Sequence, residues 1–141
     1  MEALHERFGK RAWSLHELCR GIDESPVNIE RQRKSLSVES TFQHDLQTLE
    51  SCLEQISDLY QRLITRFERI KRDYQIKKPF VKVKFADFTV TTVESALYPA
   101  ATIECYQELI KIGWERKKEP VRLLGIGVSL HTGEETQLTL F

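Results

Sequence analysis

The sequence is poor in cysteine and lacks the residue spacing that is typical of a metal site. Its three cysteines, Cys19, Cys52 and Cys105, lie far apart, and no C-x-x-C pair is present. The four histidines have no ligand spacing to one another or to a cysteine. We therefore expect reduced thiols in a cytoplasmic protein, with neither a bound metal nor a disulfide framework.

Long hydrophobic runs and net charge are also absent. No apolar stretch approaches the roughly 18 residues of a membrane-spanning helix, and the chain does not start with a signal-peptide core. The 21 Lys and Arg residues balance the 21 Asp and Glu residues. Residues 31–131 nevertheless carry 17 basic and 13 acidic side chains, between two acidic ends. This mild excess favours partial phosphate contact rather than a charge-driven coat, and we expect no membrane partner.

Hydrophobic periodicity of three and four predicts helices in three places. Residues 3–20 form a helix that bends near Gly9. Residues 48–73 give the strongest pattern, which predicts one continuous helix of about 25 residues. Residues 102–116 form the last helix. Thr48 and Thr102 precede the second and third helices and are typical N-cap residues.

Alternation of apolar and polar residues predicts strands in the rest of the chain. The first strand covers residues 35–42. Two strands lie within 79–97, joined at Ala86-Asp87, with Pro79 marking the boundary before them. A last strand covers 120–130.

The order strand, helix, strand, strand, helix, strand predicts an α+β fold of the split β-α-β type. Right-handed crossovers place both helices on one face of a four-stranded antiparallel sheet, preceded by a short helical segment. We predict four parts: a helical segment at 1–27, a basic linker at 28–34, the sheet domain at 35–131 and a flexible tail at 132–141.

The sheet face without helices is predicted to be small, hydroxylic and basic, with little hydrophobic bulk. Hydroxyl groups and lysines are good donors to phosphate oxygens, and glycines allow a partner's backbone to approach closely. No aromatic side chain is predicted on this face to stack on single-stranded bases. The residues predicted there are Ser35, Ser37, Thr41, Lys82, Lys84, Gly125, Gly127 and Ser129. A plain solvated sheet face is the alternative interpretation.

The last five residues, Gln137-Leu138-Thr139-Leu140-Phe141, follow a short polar stretch at 132–136. An apolar peptide at the end of a flexible polar linker is a common form of docking motif. The pattern Gln-Leu-x-Leu-Phe resembles the motif by which bacterial DNA polymerases and repair proteins bind the sliding clamp.

Several stretches resemble one family, in that family's order, over essentially the whole chain. They are Phe8-Gly9-Lys10-Arg11, Gly21-Ile22-Asp23, Arg33-Lys34-Ser35-Leu36-Ser37-Val38-Glu39, Val81-Lys82-Val83-Lys84-Phe85-Ala86-Asp87-Phe88 with Thr91-Thr92, and Val121-Arg122-Leu123-Leu124-Gly125-Ile126-Gly127-Val128. Together with the terminal peptide, they resemble the thumb end and little-finger domain of Y-family DNA polymerases of the bacterial DNA polymerase IV type.

The resemblance implies a C-terminal piece of a translesion polymerase that binds duplex primer-template DNA and the sliding clamp. The opening residues read as the middle of a helix behind an added Met. The family's palm, whose carboxylates hold two Mg²⁺ ions, has no counterpart here, so we expect no catalytic residue and no cofactor in these 141 residues. We expect the chain to be monomeric.

The resemblance and the sheet pattern together predict the binding residues. For DNA they are Arg33, Lys34, Ser35, Ser37, Thr41, Lys82, Lys84, Thr91, Thr92 and Arg122, and for the clamp Gln137, Leu138, Thr139, Leu140 and Phe141. Two alternatives stay open: a non-enzymatic module that binds single-stranded RNA, and an adaptor that the clamp recruits through the tail.

Overall fold

The structure of the protein is a computed structural model that describes residues 2–27, 29, 32–95 and 100–132. The chain divides into two units, Met1–Gln32 and Arg33–Phe141. The division falls inside the predicted basic linker, and the finer boundaries at 27 and 34 stay a prediction.

The first unit contains α1 (Glu2–Phe8), a 3₁₀ turn (Gly9–Arg11) and α2 (Ala12–Cys19). The predicted bend near Gly9 is confirmed, because Gly9 adopts a left-handed φ of 53° at the start of the turn. Gly21 follows α2 with a φ of 76°, and its N–H donates to the Leu18 carbonyl oxygen at 3.0 Å. It ends the helix as a glycine does in a left-handed cap.

The second unit holds a four-stranded sheet with the strand order β1-β4-β2-β3, and each pairing is antiparallel. Its elements are β1 (Ser35–Leu46), α3 (Leu49–Glu54), α4 (Ile56–Glu68), β2 (Tyr74–Phe85), β3 (Val90–Glu94), α5 (Ile103–Glu115) and β4 (Val121–Thr132). The predicted fold class is therefore confirmed. In the described part of the chain, no helix is both long enough and apolar enough to cross a membrane.

The helices of the second unit cover one face of the sheet. Val38, Ile126 and Val81 occupy one row across β1, β4 and β2, and all three are buried. They belong to one apolar cluster with the buried residues of α4 and α5. The Tyr106 hydroxyl of α5 is buried and donates to the Gly127 carbonyl oxygen at 3.0 Å. Since the apolar rows of the strands turn toward both helices, the other face of the sheet carries the alternate residues.

The predicted N-caps are confirmed, but the continuous helix over 48–73 is wrong. The Thr48 hydroxyl accepts a hydrogen bond from the Ser51 N–H at 3.2 Å, and the Cys105 N–H donates to Thr102 in the same way at 3.3 Å. The long segment is divided at Gln55, whose N–H donates to the Cys52 carbonyl oxygen three residues back. Hydrophobic periodicity does not register this turn, because buried residues continue on both sides of it.

Pro79 was predicted as a boundary, and this is wrong, because β2 begins five residues earlier at Tyr74. Pro79 lies opposite Val128 inside the strand. Its carbonyl oxygen accepts the Ser95 N–H at 3.1 Å, just beyond the end of β3 at Glu94. A residue's N–H and C=O point to the same side of an antiparallel strand. The missing N–H of Pro79 therefore faces Ser95, one residue beyond the end of β3, so the hydrogen bond that Pro79 cannot donate falls at the very end of the β2–β3 pairing.

Arginines from the helices bind the outer carbonyl groups of both edge strands. Arg62 donates to the Glu39 carbonyl oxygen at 3.2 Å, and Arg66 donates to the Ser37 carbonyl oxygen at 2.8 Å. On the opposite edge, Arg116 donates to the Thr92 carbonyl oxygen at 3.0 Å. These guanidinium groups satisfy acceptors that no neighbouring strand reaches.

Candidate functional site

The sheet face opposite the helices, called the open face below, collects the residues that the alternation predicts. The pairing register places Ser35 beside Ser129, Ser37 beside Gly127, and Lys82 beside Gly125. Residues on the open face are Ser35, Ser37, Glu39, Thr41, Lys78, Phe80, Lys82, Lys84, Val90, Thr92, Glu94, Leu123, Gly125, Gly127 and Ser129. The sheet pattern identifies eight of these residues, and it omits Glu39, Lys78, Phe80, Val90, Thr92, Glu94 and Leu123.

The predicted lack of hydrophobic bulk on the open face is wrong. Because β2 starts at Tyr74, Phe80 falls in the strand at the alternation step of Lys82 and Lys84, and it pairs with Gly127. Its side chain is half-buried. A strand boundary at Pro79 leaves Phe80 out of the predicted open face. The sequence does place Phe80 at the same alternation step as Lys82 and Lys84.

The glycines of β4 accommodate the protein's own side chains, so their predicted role in admitting a partner's backbone is wrong. A Cβ atom on Gly127 would lie 2.5 Å from Phe80 Cζ and 2.7 Å from the Leu36 carbonyl oxygen. A Cβ atom on Gly125 would lie 2.9 Å from Glu39 Cγ. Side chains from β1 and β2 therefore lie over β4, and both glycines are buried.

Three of the cations on or beside the open face differ in their charge partners, namely Lys82, Lys84 and Arg122. Lys82 Nζ lies 2.9 Å from Glu39 Oε1 and forms an ion pair across the sheet. Lys84 Nζ lies 4.7 Å from the centroid of the Phe88 ring, and the Arg122 guanidinium carbon lies 5.0 Å from the same centroid. Within the described ranges, neither Lys84 nor Arg122 has a carboxylate partner. Two uncompensated positive charges therefore lie around Phe88, and Lys78, which pairs with Ser129, likewise has no carboxylate partner among the described residues.

The predicted linker residues Arg33 and Lys34 are exposed and lead directly into β1. Their backbones are held by the second unit. The Arg33 N–H donates to the Tyr74 hydroxyl at 3.1 Å, and the Lys34 carbonyl oxygen accepts the Leu130 N–H at 2.8 Å. Both cationic side chains are thus anchored at the β1 end of the sheet and are free to reach an anion.

The structure separates the two threonines of β3. Thr92 pairs with Lys82 and lies on the open face. Thr91 pairs with the buried Val83, faces the helices, and accepts a hydrogen bond from Arg116. Thr91, which was predicted with Thr92 as a DNA-binding residue, therefore lies on the helix side of the sheet.

The turn between β2 and β3 is fixed by the end of α5. Lys117 donates to Asp87 and, at 2.9 Å, to the Thr89 hydroxyl. The Thr89 N–H and hydroxyl both donate to Asp87 Oδ1, at 3.0 and 2.6 Å. Lys117, followed by the Thr89 donors, lowers the pKa of Asp87 to about 2. Lys117, two residues after the end of α5, therefore holds the turn.

Two of the described cysteines are core residues. Cys52 and Cys105 are buried, and burial raises the pKa of the Cys52 thiol to about 11. Over the described ranges, no cluster of three or more His, Cys, Asp or Glu residues is arranged to hold a metal ion. The predicted clamp-binding peptide, residues 137–141, lies outside the described residues.

Comparison with known proteins identifies this fold and the family. The second unit is similar to the little-finger chain in the solved structure "Complex of beta-clamp processivity factor and little finger domain of PolIV". The identity is 31%, the TM-score is 0.63, and the match covers 69% of this chain and 88% of that one. The class defined by the fold and the open face is therefore that of a polymerase little-finger domain.

The family model described as the impB/mucB/samB family C-terminal domain matches residues 33–140. The chain belongs to this family. It is 60% identical to DNA polymerase IV of Protochlamydia amoebophila over 98% of its own length and 39% of that relative. It is 45% identical to DNA polymerase IV of Ralstonia nicotianae over 92% of its length and 36% of that relative.

These matches confirm the resemblance to polymerases of the DNA polymerase IV type, and they do not favour the RNA-binding alternative. The chain spans less than two fifths of the length of either relative.

Proposed function

We propose that this chain is the C-terminal part of an error-prone translesion DNA polymerase, in which it holds duplex primer-template DNA and docks on the sliding clamp. The observation that carries the proposal is a sheet face that the described helices of the second unit leave open and that carries uncompensated cations, in a chain 60% identical to a DNA polymerase IV.

The proposed DNA contacts are donors to the sugar-phosphate backbone, which position a duplex without reading its sequence. Lysine, arginine and serine side chains on the open face and at its entry supply these donors. The residues are Arg33, Lys34, Ser35, Ser37, Thr41, Lys82, Lys84, Thr92 and Arg122. We leave out Thr91 because its hydroxyl faces the helices and accepts from Arg116.

Nucleotidyl transfer belongs to the rest of the polymerase. Palm carboxylates of the parent polymerase would hold divalent metal ions, which would supply charge stabilisation for nucleotidyl transfer. This chain binds the DNA duplex and recruits the polymerase to the sliding clamp. It works in the cytoplasm, where the chromosome is copied.

The proposed clamp contact is the terminal peptide Gln137-Leu138-Thr139-Leu140-Phe141. A solved relative of this domain is named as a complex with the beta-clamp, which supports the assignment. Burial of the three large apolar side chains contributes roughly 1.5–3 kcal/mol each. Ordering the peptide costs several kcal/mol, so the contact is weak, on the order of micromolar. Simultaneous contact with DNA raises the effective concentration of the peptide at the clamp.

Clamp and DNA binding are tested separately on the full chain. In a pull-down on sliding clamp, Leu140→Ala/Phe141→Ala abolishes capture, while the matched control Thr136→Ser, in the polar stretch before the peptide, retains it. If the double variant is still captured, the tail is not the clamp contact.

In duplex titrations, Lys84→Ala weakens DNA binding and lowers the salt dependence of binding by about one counterion. An unchanged affinity and salt dependence contradict the use of the open face.

A further inference from the structure

Phe88 is unusual in both its backbone and its surroundings. It has a left-handed φ of 69°, a conformation that bulky residues rarely adopt. Its side chain is 60% exposed, so packing in the core does not account for a phenylalanine here. A glycine would satisfy the turn without strain. A strained residue that the fold does not require is a reason to look for a function.

The contacts of the Phe88 ring indicate what that function is. Lys84 from β2 and Arg122 from β4 both approach it, at 4.7 and 5.0 Å from the centroid. Cations are attracted to an aromatic face, and the attraction holds long flexible side chains in place. Two carboxylates of this region already have cationic partners: Asp87 of the same turn is paired with Lys117, and Glu39 of the open face with Lys82.

We infer that Phe88 is a positioning residue, which holds Lys84 and Arg122 together as one two-cation site for a backbone phosphate. Two cations gathered on one ring repel each other, and a phosphate placed between them relieves the repulsion through charge-assisted hydrogen bonds. The ring itself bears no charge and does not need to touch the DNA. This inference rests on the proposed DNA contact and names the place where that contact is strongest.

The test compares three substitutions at one position, using the full chain and a fluorescein-labelled primer-template duplex. Phe88→Leu keeps apolar bulk but removes the aromatic face, and it should weaken binding about fivefold. Phe88→Tyr keeps the ring and should bind as the parent does. If Phe88→Leu binds as tightly as the parent chain, the inference is overturned.

A double-mutant cycle separates positioning from direct stacking on DNA. In a Lys84→Ala/Arg122→Ala background, Phe88→Leu should have no further effect, because no cations remain to be held. A further loss of similar size in that background means that the ring contacts DNA by itself and overturns the inference.

Thermal unfolding distinguishes positioning from a structural role. Phe88→Gly relieves the left-handed strain, so its melting temperature should equal or exceed that of the parent, while its DNA affinity falls as in Phe88→Leu. A large drop in melting temperature would show that the Phe88 ring stabilises the fold, and it would overturn the inference.

The outcomes also separate this inference from the proposed function. If the parent chain does not bind the duplex, the proposed function fails. If Lys84→Ala weakens binding and Phe88→Leu does not, only the role of Phe88 fails.

Discussion

Lys82 of β2 and Glu39 of β1 form an ion pair above Gly125 of the intervening strand, with Nζ and Oε1 2.9 Å apart. The absence of a side chain at Gly125 makes the pair possible, because Glu39 Cγ occupies the space that a Cβ atom would need. One acidic group thus neutralises one of the predicted DNA-binding lysines.

We predict that Glu39→Gln strengthens duplex binding by about threefold to tenfold. The substitution frees Lys82 and removes a negative charge from a surface that faces phosphates. Fluorescence anisotropy at constant ionic strength measures the change. Glu108→Gln is the matched control, since Glu108 pairs with Lys111 on α5, away from the open face. Equal changes in both variants would show that net charge alone is responsible.

The two glycines of β4 should differ in their tolerance of alanine. Gly127→Ala brings a Cβ atom within 2.7 Å of the fixed Leu36 carbonyl oxygen, so we expect a loss of about 1–3 kcal/mol of stability. The three atoms nearest to a Cβ on Gly125 all belong to the Glu39 side chain, which can rotate away, so Gly125→Ala should cost less. Urea denaturation measures both. A greater loss at Gly125 would contradict the packing described here.

The Asp87–Lys117 contact should make stability depend on pH at the acid end. Lys117 and Thr89 lower the pKa of Asp87 to about 2, below its unfolded value of about 4. A carboxylate with a lowered pKa stabilises the fold above the unfolded pKa, and this stability is lost as the pH falls through the folded one. The contribution is therefore present above pH 4 and disappears toward pH 2.

Asp87→Asn should flatten that pH dependence. Thermal unfolding followed between pH 2 and pH 5 should show a smaller change for the variant than for the parent chain. Asp58→Asn serves as control, because Asp58 forms an exposed pair with Arg62 on α4. Parallel curves for the parent and Asp87→Asn would contradict the assignment.

Tyr106 should contribute through its hydroxyl as well as its ring. Tyr106→Phe removes the buried hydrogen bond to the Gly127 carbonyl oxygen and should destabilise the fold by about 1 kcal/mol. Tyr60→Phe is the matched control. The Tyr60 ring packs against Tyr106 at 6.0 Å, and its hydroxyl has no hydrogen-bond partner among the described residues. Equal losses in the two variants would remove the hydroxyl from the explanation.

The element order, both threonine caps and most of the open face were predictable from sequence, because each depends on local periodicity or a single side chain. Pro79 was misread because its place in β2 depends on where β3 ends. The mistake also concealed Phe80. The turn at Gln55 left the apolar pattern intact and gave no signal. The ion pair of Lys82 with Glu39 depends on register, which alternation alone does not specify.

Arg62 and Arg66 protect one edge of the sheet against association with other chains. An edge strand invites growth of the sheet by addition of a fifth strand, since its outer row of carbonyl groups is a template for the amide groups of another chain. On the edge strand β1, two guanidinium groups already bind that row at Ser37 and Glu39. An incoming peptide would have to displace both, so this edge resists strand addition and fibre formation.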